Sequence, residues 1–203
     1  MYDNFRVEHY FSASPSSKKY TQIITALING TNYRFTTASG VFSKYKVDRG
    51  TLLLVESIAV SKGDRILDLG CGYGVIGIAF SKHANSVLMT DINERAVELA
   101  KINVKLNGLR NVEVVQCDLY DGLEAGKFDK IICNPPIRAG RIVVNKIIEG
   151  AVDHLIPGGY LYLVVQTKQG AKSIAKRMKE VFGNQDYVKK SGGYRVIVSR
   201  LSA

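Results

Sequence analysis

The chain has 203 residues, 46% of them hydrophobic, which is enough for one compact core. No apolar run reaches the ~18–20 residues of a membrane span, and the opening MYDNFRVEHYF is too polar and acidic for a signal peptide, so a soluble cytoplasmic protein with no membrane partner is expected. The net charge of +10 favours an anionic partner, nucleic acid first, and from Lys168 onward nine basic residues face only two acidic ones.

In sequence order, the segment up to residue 47 is short, aromatic and alternating. EHYFSASP and NYRFTTASGVFS read as two strands of a small hairpin cap on a single domain whose core spans 48–203. A helix follows from an Asp48 N-cap to about Ala59. DRILDLG is a strand and Val75 to His83 a helix. SVLMTD is a strand, and NERAVELAKINVKLNG is a helix opening on Asn93 and closing at Gly108. NVEVVQCD and FDKIICN are strands, VVNKIIEGAVDHL a helix, GYLYLVVQT a strand and GAKSIAKRMKEVF a helix. DYVKKSGGYRVIVSRL is a terminal hairpin turning at Gly192-Gly193. Strand–helix alternation predicts an α/β fold: a doubly wound, Rossmann-like, mostly parallel sheet of seven strands, closed by the antiparallel hairpin.

Cys71, Cys117 and Cys133 form no CxxC, and His83 and His154 stand too far from other ligands to complete a metal set. Three buried reduced thiols and no metal are expected.

The chemistry begins where the first core strand ends, in DLGCGYGVIG. Gly72, Gly74 and Gly77 match the GxGxxG pattern, in which glycines take positive φ and let a ligand approach a helix N-terminus. Asp91, 17 residues beyond Gly74 at the end of the next strand, suits a ribose. Loop and acid together indicate an adenine-nucleoside cofactor. Asp68 discriminates among such cofactors. A carboxylate at the strand end repels a diphosphate but suits a cationic ligand; its alternative is to cap local backbone amides. Asp118, ending the third core strand, is placed to accept from an adenine amino group.

DLGCGYG, Asp91, CDLYDG and NPPI, in this order and spacing, resemble a class I S-adenosylmethionine-dependent methyltransferase. Upstream, SGVFSKYKVDRGTLLLVE resembles the GVFS…D-x-G…LL element of the MTS (methyltransferase small) domain, found in ribosomal small-subunit guanine-N2 methyltransferases of the RsmC type. HYFSASP fits that group too. The resemblance covers nearly the whole sequence and looks like the stand-alone archaeal-type version, without the extra N-terminal domain of the bacterial enzymes. It implies S-adenosylmethionine as cofactor. Asp68, Gly70, Cys71, Gly72 and Gly74 would then form the methionine-side loop, and Asp91 would bind the ribose with Ile92 on the adenine. Asp118 and the Leu119 N–H would read the adenine edge. Gly40, Val41 and Phe42 would close over the cofactor, and Asn134 would border it.

Asn134, Pro135, Pro136 and Ile137 end a buried strand with two residues that cannot donate to a ladder. A purine amine is a poor nucleophile because its lone pair is delocalised. Two rigid acceptors, the Asn134 carboxamide oxygen and the Pro135 carbonyl, can hold its N–H groups so that the lone pair faces the methyl carbon. The resembled pattern has an aromatic at the fourth place, which stacks on a flipped-out base. Ile137 offers only an apolar platform, and Tyr33 or Phe42 could supply the stack instead. Arg138, Arg141, Lys44, Lys46 and Lys168 are the candidate RNA contacts. The reading is therefore an RNA amine methyltransferase acting on guanine N2 of ribosomal RNA. Its alternatives are a protein-glutamine N5 or adenine N6 methyltransferase, an NAD(P)-dependent oxidoreductase, and a non-catalytic RNA-binding protein with a relic cofactor pocket.

Overall fold

A computed structural model describes Ala13 and residues 20–202. Seven strands form the central sheet: β3 (Arg65–Leu69), β4 (Ser86–Asp91), β5 (Val112–Gln116), β6 (Phe128–Cys133), β7 (Leu155–Gln166), β8 (Asp186–Ser191) and β9 (Tyr194–Arg200). Their order is β5-β4-β3-β6-β7-β9-β8, parallel from β5 to β7 and antiparallel at β9 and β8. From β3 the backbone winds outward through β4 and β5, then returns to β6 on the other flank. The strand order therefore reverses between β3 and β6, and a crevice opens there at the carboxyl ends of the strands.

Alternating side chains on each strand feed two apolar layers. Ile66, Met89, Ile132, Val164 and Val196 face α1 (Arg49–Ser57), α2 (Val75–Ser81) and α3 (Glu94–Leu106). Leu67, Ile131, Leu161, Leu163 and Ile197 face α4 (Arg141–His154) and α5 (Ala171–Phe182). Local chemistry sets the helix starts: Asp48 accepts from the Thr51 N–H, and Asn93 from the Arg95 and Ala96 N–H groups. Helix α2 runs so close to β4 that a Cβ on Gly77 would lie 2.4 Å from Met89 Sδ, so no larger residue fits without displacing it.

The N-terminal hairpin differs from the sequence expectation. Its strands are β1 (Thr21–Ile28) and β2 (Thr31–Ala38), joined by Asn29 and Gly30 at φ 46° and 74°. NYRFTTA supplies the second strand as expected. EHYFSASP lies outside the described residues except for Ala13, whose carbonyl accepts from the Glu94 N–H. Among the described residues, the second edge of the hairpin is closed by side chains. Asn103 accepts from Thr36 N–H at 2.6 Å and donates to the carbonyls of Thr36 and Tyr73, both at 2.9 Å. One turn on, Asn107 accepts from Arg34 N–H and donates to its carbonyl. Asn103 is fully buried, so Asn103→Ala leaves three backbone groups unpaired. A loss of about 3 kcal/mol is expected, lowering Tm by roughly 6–12 °C in a thermal melt.

Candidate active site

The crevice at the strand ends is a cavity of about 600 Å³, within the range that holds a small-molecule ligand. One wall is the loop after β3. Gly70, Cys71 and Gly72 line it, with Gly70 and Gly72 at φ 72° and 56°. A Cβ on either glycine would meet nothing within 4 Å, so the loop presents bare backbone to open space. Gly74 stands back from the cavity and begins α2 at φ 95°.

Asp91 closes the next strand end. Its carboxylate accepts from Gly72 N–H at 2.8 Å and from Asn93 N–H at 2.9 Å, which ties the glycine loop to the start of α3. Burial pushes its pKa above the usual carboxylate range, against these hydrogen bonds. Ile92, Asp118 and Leu119 complete this side of the cavity, Leu119 at φ 54°. A loop of bare backbone, a carboxylate one strand over and a further acid at the third strand form a cradle that fits an adenosyl group.

Asp68 lies under this cradle rather than in its wall. It is fully buried, one oxygen caps the Gly77 N–H at 2.8 Å, and the other has no hydrogen-bond partner among the described residues. Capping of a backbone amide, rather than a direct charge on the ligand, is the contact the geometry contains. Burial pushes the Asp68 carboxyl up to about 7, with the Gly77 hydrogen bond opposing and the charge of Asp91 adding to the rise. The folded state therefore binds a proton that an unfolded Asp, near 3.9, releases. Stability from this group is fully present below about pH 4 and is lost as pH rises to about 7. Asp68→Asn removes the titration, so denaturation of the ligand-free proteins should show the variant gaining on wild type between about pH 5 and about pH 7.5. An unchanged difference between the two pH values would mean that Asp68 is charged throughout.

The cap reaches over the cradle from the other side. Val41 and Phe42 line the cavity, while Gly40 does not. Instead the Gly40 carbonyl accepts from Asn93 Nδ2 at 3.0 Å and the Ser39 carbonyl from the Arg95 guanidinium at 2.8 Å, so the start of α3 holds the turn that places Phe42. Tyr33 is 3% exposed and stacked on Phe35 in the core, so it cannot serve as the base platform. Its ring faces inward because β2 turns alternate residues onto α3 and α2.

At the end of β6, Asn134, Pro135, Pro136 and Ile137 all face the cavity, followed by Arg138. The Asn134 amide nitrogen donates to Thr51 Oγ1 at 2.9 Å and approaches Asp48 Oδ2 at 3.4 Å, which leaves its carbonyl oxygen for a ligand. The Pro135 carbonyl accepts from Ile137 N–H at 2.9 Å and keeps its second lone pair. Of the remaining basic candidates, Arg141, Lys44, Lys46 and Lys168 lie outside the cavity lining; Lys44 rests 4.8 Å over the Tyr45 ring. The structure adds Thr51, Gln166, Gln169 and Tyr194 to the lining, and it brings Asp48 there as well as to its helix cap. Gln166 and Tyr194 are register partners in β7 and β9, a pairing that only the sheet order creates.

The family model described as "Methyltransferase small domain" matches residues 32–198. The protein is 41% identical over 197 residues to the uncharacterized protein YbxB of Bacillus subtilis (strain 168), covering 95% of this sequence and 98% of that one. It is 31% identical over 166 residues to ribosomal RNA small subunit methyltransferase C of Escherichia coli (strain SMS-3-5 / SECEC), covering 79% of this sequence and 47% of that enzyme. Among solved structures, the T. thermophilus 16S rRNA N2 G1207 methyltransferase (RsmC) in complex with AdoMet and guanosine superposes with a TM-score of 0.81 at 27% identity, over 92% of this protein and 52% of that one. The protein thus spans about half the length of these two methyltransferases.

Proposed function

The protein belongs to the methyltransferase small domain family, and on that premise we propose that it transfers a methyl group from S-adenosylmethionine to an exocyclic amine, guanine N2 of ribosomal RNA. One observation carries the proposal. Asn134 lines the same cavity as the glycine loop and Asp91, and its amide nitrogen is engaged by Thr51 Oγ1, which leaves its oxygen to accept from a ligand.

Bound S-adenosylmethionine supplies an electrophilic methyl on a sulfonium. The protein's own residues do the rest by placement. Gly70 to Gly72 would leave room for the methionine portion, Asp91 would take the ribose hydroxyls, and Ile92 and Asp118 would border the adenine. Asn134 Oδ1 and the Pro135 carbonyl accept the two N–H bonds of the purine amine, which points its lone pair at the methyl. Fixed acceptors that need no reorganisation favour the transition state over the free amine. Methylation makes the nitrogen acidic, so its proton leaves to water without a strong base. Pro136 and Ile137 give the base an apolar platform, and Phe42 stands nearest in kind to the missing aromatic.

RNA as the partner is supported by the +10 charge, by Arg138 at the cavity edge and by the ribosomal RNA methyltransferases among the relatives. No helix among the described residues is long and apolar enough to cross a membrane, and a cytoplasmic location goes with this reading. The test is incubation with tritiated S-adenosylmethionine and, separately, ribosomal small subunits, total RNA and a translation release factor. Label in ribosomal RNA supports the proposal; label in the release factor alone would favour the glutamine alternative and overturn it.

A further inference from the structure

Four elements meet around the Asn134 carboxamide, and their contacts form a relay with one charged member. Asp48, at the start of α1, accepts from the Thr51 N–H at 3.1 Å through the same oxygen that lies 3.4 Å from Asn134 Nδ2. Its other oxygen lies 3.5 Å from the Tyr194 hydroxyl at the start of β9, and that hydroxyl accepts from Gln166 Nε2 at the end of β7 at 2.9 Å. Gly50 makes the approach possible: a Cβ there would stand 2.6 Å from the Tyr194 ring. The Asp-x-Gly of this segment thus has a physical meaning, in which the glycine admits the tyrosine and the tyrosine backs the aspartate.

A carboxamide has nearly the same shape with its oxygen and nitrogen exchanged, so packing alone does not choose between them. Thr51 Oγ1 does not choose either, because a hydroxyl donates as readily as it accepts. A carboxylate only accepts, and a carbonyl oxygen turned toward it at this distance is repelled. We propose that Asp48 is a positioning residue for methyl transfer: it holds the Asn134 amide nitrogen toward α1, and so keeps the Asn134 oxygen toward the substrate amine. The assignment rests on the amine-methylation reading above for its consequence, but the orientation itself is a property of the free protein.

Two variants separate this role from a structural one. Asp48→Ser keeps an oxygen that caps Thr51 N–H but is too short to reach Asn134. Asp48→Asn keeps an acceptor for both groups. In 15N-labelled protein without ligand, the Asn134 carboxamide protons, identified by their loss in Asn134→Ala, should exchange with solvent at least about tenfold faster in Asp48→Ser than in wild type, and near the wild-type rate in Asp48→Asn. Turnover with tritiated S-adenosylmethionine and ribosomal small subunits should fall about ten- to hundredfold in Asp48→Ser. It should recover to within about threefold in Asp48→Asn, with affinity for S-adenosylhomocysteine unchanged in both. Wild-type amide exchange or wild-type turnover in Asp48→Ser overturns the proposal. Equal loss of turnover in both variants also overturns it, because the charge would then act directly on the ligand. Should wild type methylate no RNA, the functional reading fails while the amide measurement still decides the orientation.

Discussion

Replacing Asn134 with alanine is expected to lower the turnover of methyl transfer by about 10²–10³-fold, the cost of removing one pre-placed polar group from a reacting centre. Affinity for S-adenosylhomocysteine should stay within about threefold of wild type. The split follows from where the side group points. Its nitrogen is held by Thr51 and Asp48, which leaves its oxygen to accept from the amine rather than to hold the cofactor. An interaction made only as the amine reacts lowers kcat and kcat/KM together. Steady-state kinetics and calorimetry on the same preparation check both halves. Full activity in the variant would rule out the amine clamp.

Asp91→Ala should do the reverse. A hydrogen bond to a charged group contributes about 1.5–3 kcal/mol, so loss of the ribose contact is expected to weaken S-adenosylhomocysteine binding by roughly 100-fold. Part of that loss comes through the loop, because Asp91 also accepts from Gly72 and Asn93 N–H and so holds the cradle to α3. Turnover at saturating S-adenosylmethionine should return to within about tenfold of wild type, since no contact of Asp91 reaches the amine. Calorimetry decides the point: unchanged affinity would take Asp91 out of the ribose role.

The parts of this molecule that were legible in the sequence are those fixed by near neighbours along the backbone. Asn93 and Asp48 cap the helices they precede, Gly192-Gly193 turns the last hairpin, and strand–helix alternation gives the parallel sheet. The strand β1 was legible too, through TQIITALI followed by Asn29-Gly30, whose two positive φ values suit a tight hairpin. The aromatic EHYFSASP drew the expectation elsewhere. Contacts between distant segments were not legible. Tyr33 and Phe42 look alike as cap aromatics, but strand alternation buries one, while the other is 40% exposed in the turn beyond β2. Asp68 looks like a ligand charge until the close packing of α2 on β4 brings Gly77 N–H onto it. Tyr194 and Gln166 join Asn134 because β9 runs antiparallel beside β7, and no local pattern records that.

On the proposed reading, this cavity methylates a guanine amine in ribosomal RNA. Mass spectrometry of nucleosides from small-subunit RNA tests it most directly, comparing cells that lack the protein with the same cells carrying wild type or Asn134→Ala. N2-methylguanosine should fall when the protein is absent, return with wild type, and not return with the variant. Identical N2-methylguanosine content in all three would contradict the claim.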